Sequence, residues 1–190
     1  MKSPARQSAL KKANRIGQQY AALPYRWVDG ALEILLLTSR ETHRWVIPKG
    51  WPMAGKKPYA AAAQEALEEA GVIGKIAKTP IGAYTYVKRL KNGAGLVCNV
   101  DVFPLAVARQ LKRWPEQAQR TAHWFTPPEA AQAVNEPELD VLIEAFGEHP
   151  PKRSGKRCLG AVVPAEAVQG SLAEEREELG DEELDLESVD

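Results

Sequence analysis

Two features that mark other protein classes are scarce in this chain of 190 residues. It has only two cysteines, Cys98 and Cys158, which lie far apart and lack the spacing of a zinc site. No apolar run approaches the roughly 20 residues that a membrane-spanning helix needs. Residues 1–13 are basic and polar, without the apolar stretch of a secretory signal. A disulfide-rich secreted fold and a membrane protein are therefore disfavoured, and we expect a cytoplasmic protein.

The chain also lacks net charge, because 25 basic and 25 acidic side chains balance, but the two signs are unevenly distributed. Residues 171–190 contain ten acidic residues and one arginine, which leaves 24 basic and 15 acidic side chains in the remainder. A basic body suits an anionic substrate, although surface lysines that serve only solubility would give the same balance. The acidic tail is poor in apolar residues, so we expect it to be disordered. It either increases solubility or competes with substrate for the basic site.

The pattern along the chain predicts one folded domain between two tails. Asp29-Gly30 predicts a hairpin turn, and the apolar run 31–37 that follows predicts a strand buried on both faces. Segment 59–70 is rich in alanine and leucine, which favours a helix that ends at Gly71. We divide the chain into a basic N-terminal arm, a folded domain, and a C-terminal tail that is acidic from residue 171, with the ranges 1–21, 22–147 and 148–190.

Three carboxylates on the predicted helix are the strongest candidates for chemistry. Glu65, Glu68 and Glu69 stand at positions i, i+3 and i+4, which share one face of an α-helix. Carboxylates packed together repel one another, and a cation between them relieves that repulsion. Their oxygens are hard ligands that suit Mg²⁺ or Mn²⁺, and Mg²⁺ usually shares its coordination sphere with substrate phosphates. The alternative is an acidic helix face that only contacts water.

The segment from Gly50 to Val72 resembles the Nudix box, whose pattern is Gly, five residues, Glu, seven residues, then Arg-Glu-aliphatic-X-Glu-Glu-X-Gly-aliphatic. Two positions depart from it, because Lys56 stands where the motif has Glu and Gln64 stands where it has Arg. Segment 48–53 is similar to that of bacterial members grouped with diphosphoinositol polyphosphate phosphohydrolases. Six residues fall on motif positions at the correct spacing: Gly50, Glu65, Glu68, Glu69, Gly71 and Val72.

The resemblance covers about residues 22–147 and implies both a fold and an activity. The fold is of the α/β class (α+β type), an α/β/α sandwich with a central mixed sheet and a loop–helix–loop metal-binding motif. The activity is hydrolysis of a diphosphate (P–O–P) linkage in a phosphate-rich small molecule, either a diphosphoinositol polyphosphate or a dinucleoside polyphosphate. Mg²⁺ or Mn²⁺ would be held by Glu65, Glu68 and Glu69. An RNA 5′ end is a further candidate, DNA and membranes are not expected, and the protein would be a monomer or a homodimer.

The resemblance also implies residue roles, with one competing interpretation. Catalysis falls to the three box glutamates and to Glu116 in a late loop, unless Glu116 is only a surface residue. Either a box glutamate or Glu116 would accept the proton. Arg120 is a further candidate to contact phosphate, and Trp51 to line the site. The alternative is a non-catalytic module that binds a phosphorylated ligand as a regulator, which the departures at positions 56 and 64 allow. Substrate binding is assigned to residues in or beside the flanking loops: Arg44, Lys49, Gly50, Lys56, Lys88 and Arg89.

Overall fold

The computed structural model describes residues 16–90 and 93–151. The expected disordered acidic tail, most of the basic arm and Cys158 lie outside the described residues. None of the helices in these two ranges has the length and apolar character of a membrane-spanning segment.

Eight strands and three α-helices are found in the described residues. The strands are β1 Gly17–Val28, β2 Ala31–Thr38, β3 Trp45–Val46, β4 Lys49–Gly50, β5 Val72–Ile76, β6 Gly82–Arg89, β7 Gly95–Gln110 and β8 Ala122–Phe125. The helices are α1 Pro58–Ala70, α2 Pro127–Ala133 and α3 Pro137–Glu148, and a short 3₁₀ helix spans Gln117–Gln119.

The strands form one mixed sheet with the order β3-β2-β1-β7-β5. Strands β1 and β7 run parallel, from Gly17 opposite Cys98 to Tyr25 opposite Ala106. The other pairings are antiparallel: β4 with β1, β6 with β7, and β8 with β2, as well as β2 with β1 and β3, and β5 with β7. The central mixed sheet that the sequence predicted is therefore confirmed.

Helices cover both faces of this sheet, because successive residues of a strand point to opposite sides. On one face Ala21 and Leu23 of β1 belong to a core with Leu139 and Ile143 of α3. On the other face Ala22, between them in sequence, belongs to a second core with three alanines of α1, Ala62, Ala66 and Ala70. The predicted three-layer sandwich is confirmed, and small side chains let α1 lie close against the sheet.

Local signals in the sequence account for most element boundaries. The hairpin turn lies at Asp29 and Gly30, which have φ angles of 48° and 90°. Helix α1 has proline in its first turn, and Gly71, with φ of 67°, donates its N–H to the carbonyls of Ala66 and Leu67. The strand predicted over 31–37 forms as β2 and is buried at most positions.

The sequence predicts an arm up to residue 21, a segment 72–76 that leads out of the helix, and a strand over 96–107 that Pro104 interrupts. The sheet differs from each of these three expectations. Strand β1 begins at Gly17, inside the range assigned to the basic arm, because its first half pairs with β7. Segment 72–76, expected only to lead out of the helix, forms strand β5 on the other side of β7. Pro104 does not interrupt β7, and its carbonyl accepts a hydrogen bond from the N–H of Ala77 at 2.8 Å.

Candidate functional site

Helix α1 presents its carboxylates to β4 because the loop 51–57 returns the chain directly from that strand. Gly50 ends β4, and a Cβ atom at this position would overlap the Glu65 carboxylate. The absence of a side chain at Gly50 therefore leaves the space that the Glu65 carboxylate fills. The motif glycine and the first motif glutamate of the helix are in direct contact.

Glu69 is the most buried of the three glutamates and is held from two sides. Its Oε2 accepts the backbone N–H of Lys49 at 3.1 Å, and its Oε1 accepts Nη2 of Arg120 in an ion pair. The two side chains of that pair are 9% and 7% exposed, so the ion pair lies out of bulk water. Burial raises the pKa of Glu69, while Arg120 and Lys49 oppose the rise.

Glu116 lies close to the helix although it is distant in sequence. Its backbone N–H donates to the carbonyl of Glu68 at 3.1 Å, and the indole N–H of Trp114 donates to the carbonyl of Glu69 at 3.2 Å. The Trp114 ring also covers Gly71, where a Cβ atom would lie 2.6 Å from the ring. The loop 111–121 between β7 and β8, called the late loop below, is thus fixed to the C-terminal turn of α1.

Two arginines contact the Glu116 carboxylate. Nε of Arg120 donates to Oε2 at 2.7 Å, and Nη1 of Arg40 lies 3.4 Å from Oε1. Arg120 therefore bridges Glu69 and Glu116. Its remaining Nη1 donates to the backbone carbonyl of Thr38 at 3.2 Å.

The two departures from the motif contact each other. Lys56 Nζ donates to Oε1 of Gln64 at 3.4 Å, and Nε2 of Gln64 donates to Oε1 of Glu68 at 2.6 Å. The ammonium of Lys56, the amide of Gln64 and the carboxylate of Glu68 are thus linked by two consecutive hydrogen bonds on the helix surface. Lys56 is absent from the residues that line the cavity described below, so its assignment to substrate binding stays a prediction.

Among the four carboxylates of the site, Glu65 is the one without a hydrogen-bond donor in the described residues. Burial raises its pKa to about 7, and repulsion by the carboxylates of Glu69, Glu68 and Glu116 adds to the rise. Such a group favours either a proton or a cation at neutral pH.

These residues face one cavity of about 770 Å³. One part of its lining, the carboxylate wall, consists of the carboxylates of α1 and Glu116. A second part, the basic wall, consists of Arg44, Lys49, Lys88 and Arg89. Arg44 is held by Glu136, with 3.2 Å between Nη1 and Oε1. Burial lowers the pKa of Lys49 to about 8. The cavity brings together nine residues assigned from sequence, namely Arg44, Lys49, Gly50, Glu65, Glu68, Glu69, Lys88, Arg89 and Glu116, with Arg120 and Trp51.

Arg40 and Gln19 also line the cavity, although nothing in the sequence predicted a role for either of them. Arg40 lies in a polar connection that carried no motif. Gln19, only 1% exposed, stands in the range assigned to the arm, and it accepts the hydroxyl of Tyr86 at 2.7 Å. The sequence does not indicate that Gln19 lies in a strand, because the parallel pairing of β1 with β7 that places it there is a long-range contact.

The donor chemistry of the cluster fits a hard divalent cation. In the described residues no three His, Cys, Asp or Glu side chains already surround a common point as metal ligands would. Arg120 binds the carboxylates of Glu69 and Glu116, and the Glu65 carboxylate lies against Gly50. However, Glu65 has no described hydrogen-bond donor, and neighbouring carboxylates disfavour its charge. Oxygen ligands of this kind are those that Mg²⁺ and Mn²⁺ prefer.

Comparisons with known proteins agree with this geometry. The family model described as the NUDIX domain matches residues 25–146. Mitochondrial Nudix hydrolase 17 of Arabidopsis thaliana is 29% identical over 154 residues, which span 70% of this chain and 82% of that protein. Diphosphoinositol polyphosphate phosphohydrolase 3-alpha of Mus musculus is 30% identical over 105 residues, spanning 54% and 60%. The C. elegans Ap4A hydrolase binary complex has a TM-score of 0.54 at 22% identity, covers 70% of this chain and 97% of that one, and is similar in fold.

Proposed function

The chain belongs to the Nudix hydrolase family, and from that premise we propose that it uses a divalent cation to cleave a diphosphate linkage in a highly anionic small molecule. One observation supports this more than any other. A cavity of about 770 Å³ combines the carboxylate wall with basic side chains from β4, β6 and the loop before β3. Its volume lies within the range of roughly 300–1,000 Å³ that is usual for small-molecule sites.

The carboxylate wall supports Mg²⁺ or Mn²⁺ as the cofactor. When bound, a divalent cation lowers the pKa of water and neutralises charge on the diphosphate. Glu65, Glu68 and Glu69 are the residues that would together hold one or more such ions. Mg²⁺ binds through few protein ligands and keeps waters and substrate phosphates as the others. A wall of three glutamates therefore suits phosphate chemistry.

The basic wall supports a substrate with several phosphates. Arg44 is pre-oriented by Glu136, and Lys88 and Arg89 reach the cavity from the end of β6. Guanidinium groups bind phosphate with two parallel hydrogen bonds, and lysine contributes a point charge. Lys49, whose pKa burial lowers to about 8, remains cationic in most molecules at neutral pH. These side chains orient the substrate and offset its charge.

Two carboxylates compete for the role of proton acceptor. Both oxygens of Glu116 contact arginines, so both already face a hydrogen-bond donor. Glu65 accepts no hydrogen bond from any described residue, so one of its oxygens is available for a water while the other binds the cation. The contacts therefore favour Glu65 over Glu116, and the sequence-based assignment of Glu116 as a base becomes the weaker candidate.

The names of related proteins suggest which substrates to test first. The mouse relative is named for diphosphoinositol polyphosphates, and the C. elegans protein of similar fold is named for Ap4A. Both are highly charged diphosphate compounds, as the basic wall favours. A partly exposed aromatic side chain, Trp51, lies beneath Lys88, whose Nζ is 5.0 Å from the ring centre. An RNA 5′ end, a cytoplasmic location and a monomeric or homodimeric state are further proposals.

A substrate panel with product identification tests the proposal. The full chain is assayed with Mg²⁺ and with Mn²⁺ on diphosphoinositol polyphosphates, dinucleoside polyphosphates, nucleotide sugars and capped RNA, and products are identified by mass. Glu69→Gln should lower kcat at least ~100-fold, since it removes a charged ligand. Glu144→Gln, on the exposed side of α3, is the matched control and should leave kcat unchanged. Ligand binding without any product would instead favour the regulatory-module interpretation.

A further inference from the structure

Arg120 makes an unusual set of contacts for a residue beside a proposed metal site. Its side chain is 7% exposed, and its guanidinium contacts two carboxylates and a carbonyl. Nη2 bonds Glu69, Nε bonds Glu116 at 2.7 Å, and Nη1 donates to Thr38 at 3.2 Å. All three nitrogens are thus used, in a buried position where an ion pair is little screened by salt. The carboxylate wall already contains a cation that belongs to the chain.

An account of each carboxylate oxygen shows which ones are available. Glu69 accepts Arg120 on Oε1 and the Lys49 backbone N–H on Oε2. Glu116 accepts Arg40 on Oε1 and Arg120 on Oε2. All four oxygens of these two residues therefore face hydrogen-bond donors.

The other two carboxylates differ. Glu68 accepts Gln64 on Oε1 only, and Glu65 accepts no hydrogen bond from any described residue. The oxygens without a described donor are thus both oxygens of Glu65 and one of Glu68. They lie on neighbouring turns of one helix face, so a first divalent cation would find them without displacing any protein donor.

We propose that Arg120 acts as a resident cation that occupies Glu69 and Glu116, confines the first divalent ion to Glu65 and Glu68, and competes with any further ion for the other two carboxylates. This rests on the metal dependence proposed above. Arg120 is a positioning residue in this scheme, because it acts through the carboxylates it holds. A guanidinium cannot lose its proton in a protein, so only movement of the side chain can release Glu69 and Glu116.

The sequence offers a reason why such a cation comes from a late loop. The helix position before Glu65, where the motif has arginine, is Gln64 in this chain. Gln64 carries no charge and instead donates to Glu68 at 2.6 Å. Arg120 therefore supplies to the buried end of the carboxylate wall a positive charge that the helix itself lacks.

Metal titration in the absence of substrate tests this directly. Mn²⁺ is added to the metal-free full chain, and bound ions are counted by calorimetry and by the electron paramagnetic resonance of free Mn²⁺. Wild type should bind one ion tightly. Arg120→Gln should bind a second ion, or bind its ions at least tenfold more tightly, whereas Arg120→Lys, which keeps the charge, should retain the wild-type count. Arg109→Gln, at an exposed position of β7, is the control for loss of a positive charge elsewhere.

The outcomes separate a positioning role from a structural one. A loss of structure in Arg120→Gln would weaken metal binding, while the proposal requires stronger or additional binding. Unchanged or weakened binding in a variant with native circular dichroism overturns it. If wild type binds Mn²⁺ and cleaves diphosphates, such a result leaves the proposed function intact. If wild type binds no Mn²⁺, the metal dependence is wrong and the inference falls with it.

A second measurement needs no variant. The Nε–H of Arg120 should give a slowly exchanging proton resonance, because the group is buried and bonded to Glu116. That resonance should keep its position within the first equivalent of Mg²⁺ and change only beyond it. A loss of the resonance during the first equivalent would mean that the first ion displaces Arg120, which contradicts the proposal.

Discussion

Gly50 and Glu65 form the contact on which the geometry of the carboxylate wall depends. A Cβ atom at position 50 would occupy the space of the Glu65 carboxylate. The obstacle is the far end of a flexible side chain, so the protein can fold with Glu65 displaced. A change at Gly50 should therefore act on catalysis more than on stability.

We expect Gly50→Ala to lower kcat/KM by about 100-fold, since a displacement of ~1 Å in a catalytic group can have that effect. Its urea midpoint should change little. A double-mutant cycle with Glu65→Ala checks the mechanism, because Gly50→Ala should have no further effect once the Glu65 carboxylate is absent. Additive losses in the cycle would show that Gly50 acts through another group.

The raised pKa of Glu65 has a consequence for the stability of the metal-free protein. Its pKa is about 7 in the folded chain, above the ordinary value of 4.5, with burial as the main cause. A raised carboxyl pKa means that the folded state binds the proton more tightly than the unfolded state. The corresponding stabilisation is fully present below pH 4.5 and is lost as the pH rises through about 7.

We therefore expect the urea midpoint of wild type in chelator to fall between pH 5 and pH 8 by more than that of Glu65→Gln. The amide is neutral throughout, so the variant lacks this contribution. Addition of Mg²⁺ at pH 8 should restore stability in wild type and less so in the variant. Parallel pH profiles for the two proteins would show that Glu65 is not the titrating group.

At the scale of elements, the important junction is that between the end of α1 and the late loop. Gly71 has φ of 67°, and a Cβ atom there would lie 2.6 Å from the Trp114 ring. Trp114 in turn donates to the carbonyl of Glu69. A substitution at Gly71 therefore combines backbone strain with displacement of the loop that carries Glu116.

We expect Gly71→Ala to lower the free energy of unfolding by about 2–4 kcal/mol, of which ~1–2 kcal/mol is the left-handed conformation and the rest is overpacking. Gly55→Ala is the matched control, because its φ of 71° is nearly the same and no atom lies within 4 Å of the added Cβ. The difference between the two variants in urea denaturation reports the contact with Trp114. Equal losses would mean that the Trp114 ring moves aside freely.

The sequence predicted the elements that depend on local signals and missed those that depend on distant partners. The hairpin at Asp29-Gly30 and the helix before Gly71 follow from residues within a few positions of each other. Strand β5 and the start of β1 both depend on β7, so their formation has no local mark. The same division holds in the site: the spacing of Glu65, Glu68 and Glu69 is local.

The part of the site that could not be predicted is its network of contacts. Nothing near Arg120 in the sequence indicates that it bridges Glu69 and Glu116, because the bridge joins a late loop to α1. The interaction of Lys56 with Gln64 was likewise hidden, although the two positions were already identified as departures from the motif. Which side chains bind each other is decided by tertiary packing.

At the scale of the whole molecule, two separate cores serve different purposes. The core against α1 contains Ala66, which neighbours Glu65 in the helix. The core against α2 and α3 contains Ile143 and lies on the opposite face of the sheet. Packing changes in the first core should reach the carboxylates, whereas those in the second should affect stability alone.

We expect Ala66→Val to lower the free energy of unfolding by about 1–3 kcal/mol through overpacking, and Ile143→Val to lower it by about 0.5–1.5 kcal/mol through a lost methylene. Only Ala66→Val should also lower kcat/KM, because it shifts α1 away from the sheet. Stability is measured by urea denaturation and activity on the folded protein. A comparable activity loss in Ile143→Val would show that the two layers are coupled.

The parallel pairing of β1 with β7 also bears on how the protein is made. Strand β1 contributes the buried residues Ala21, Ala22 and Leu23 to the centre of the sheet. In the pairing with β7, Leu23 lies opposite Pro104, which comes much later in the sequence. During translation the first strand leaves the ribosome well before its neighbour has been synthesised, with an unpaired apolar edge that favours aggregation. Completion of the sheet must wait for β7, so productive folding of the nascent chain depends on keeping that edge apart from other chains, as chaperones do.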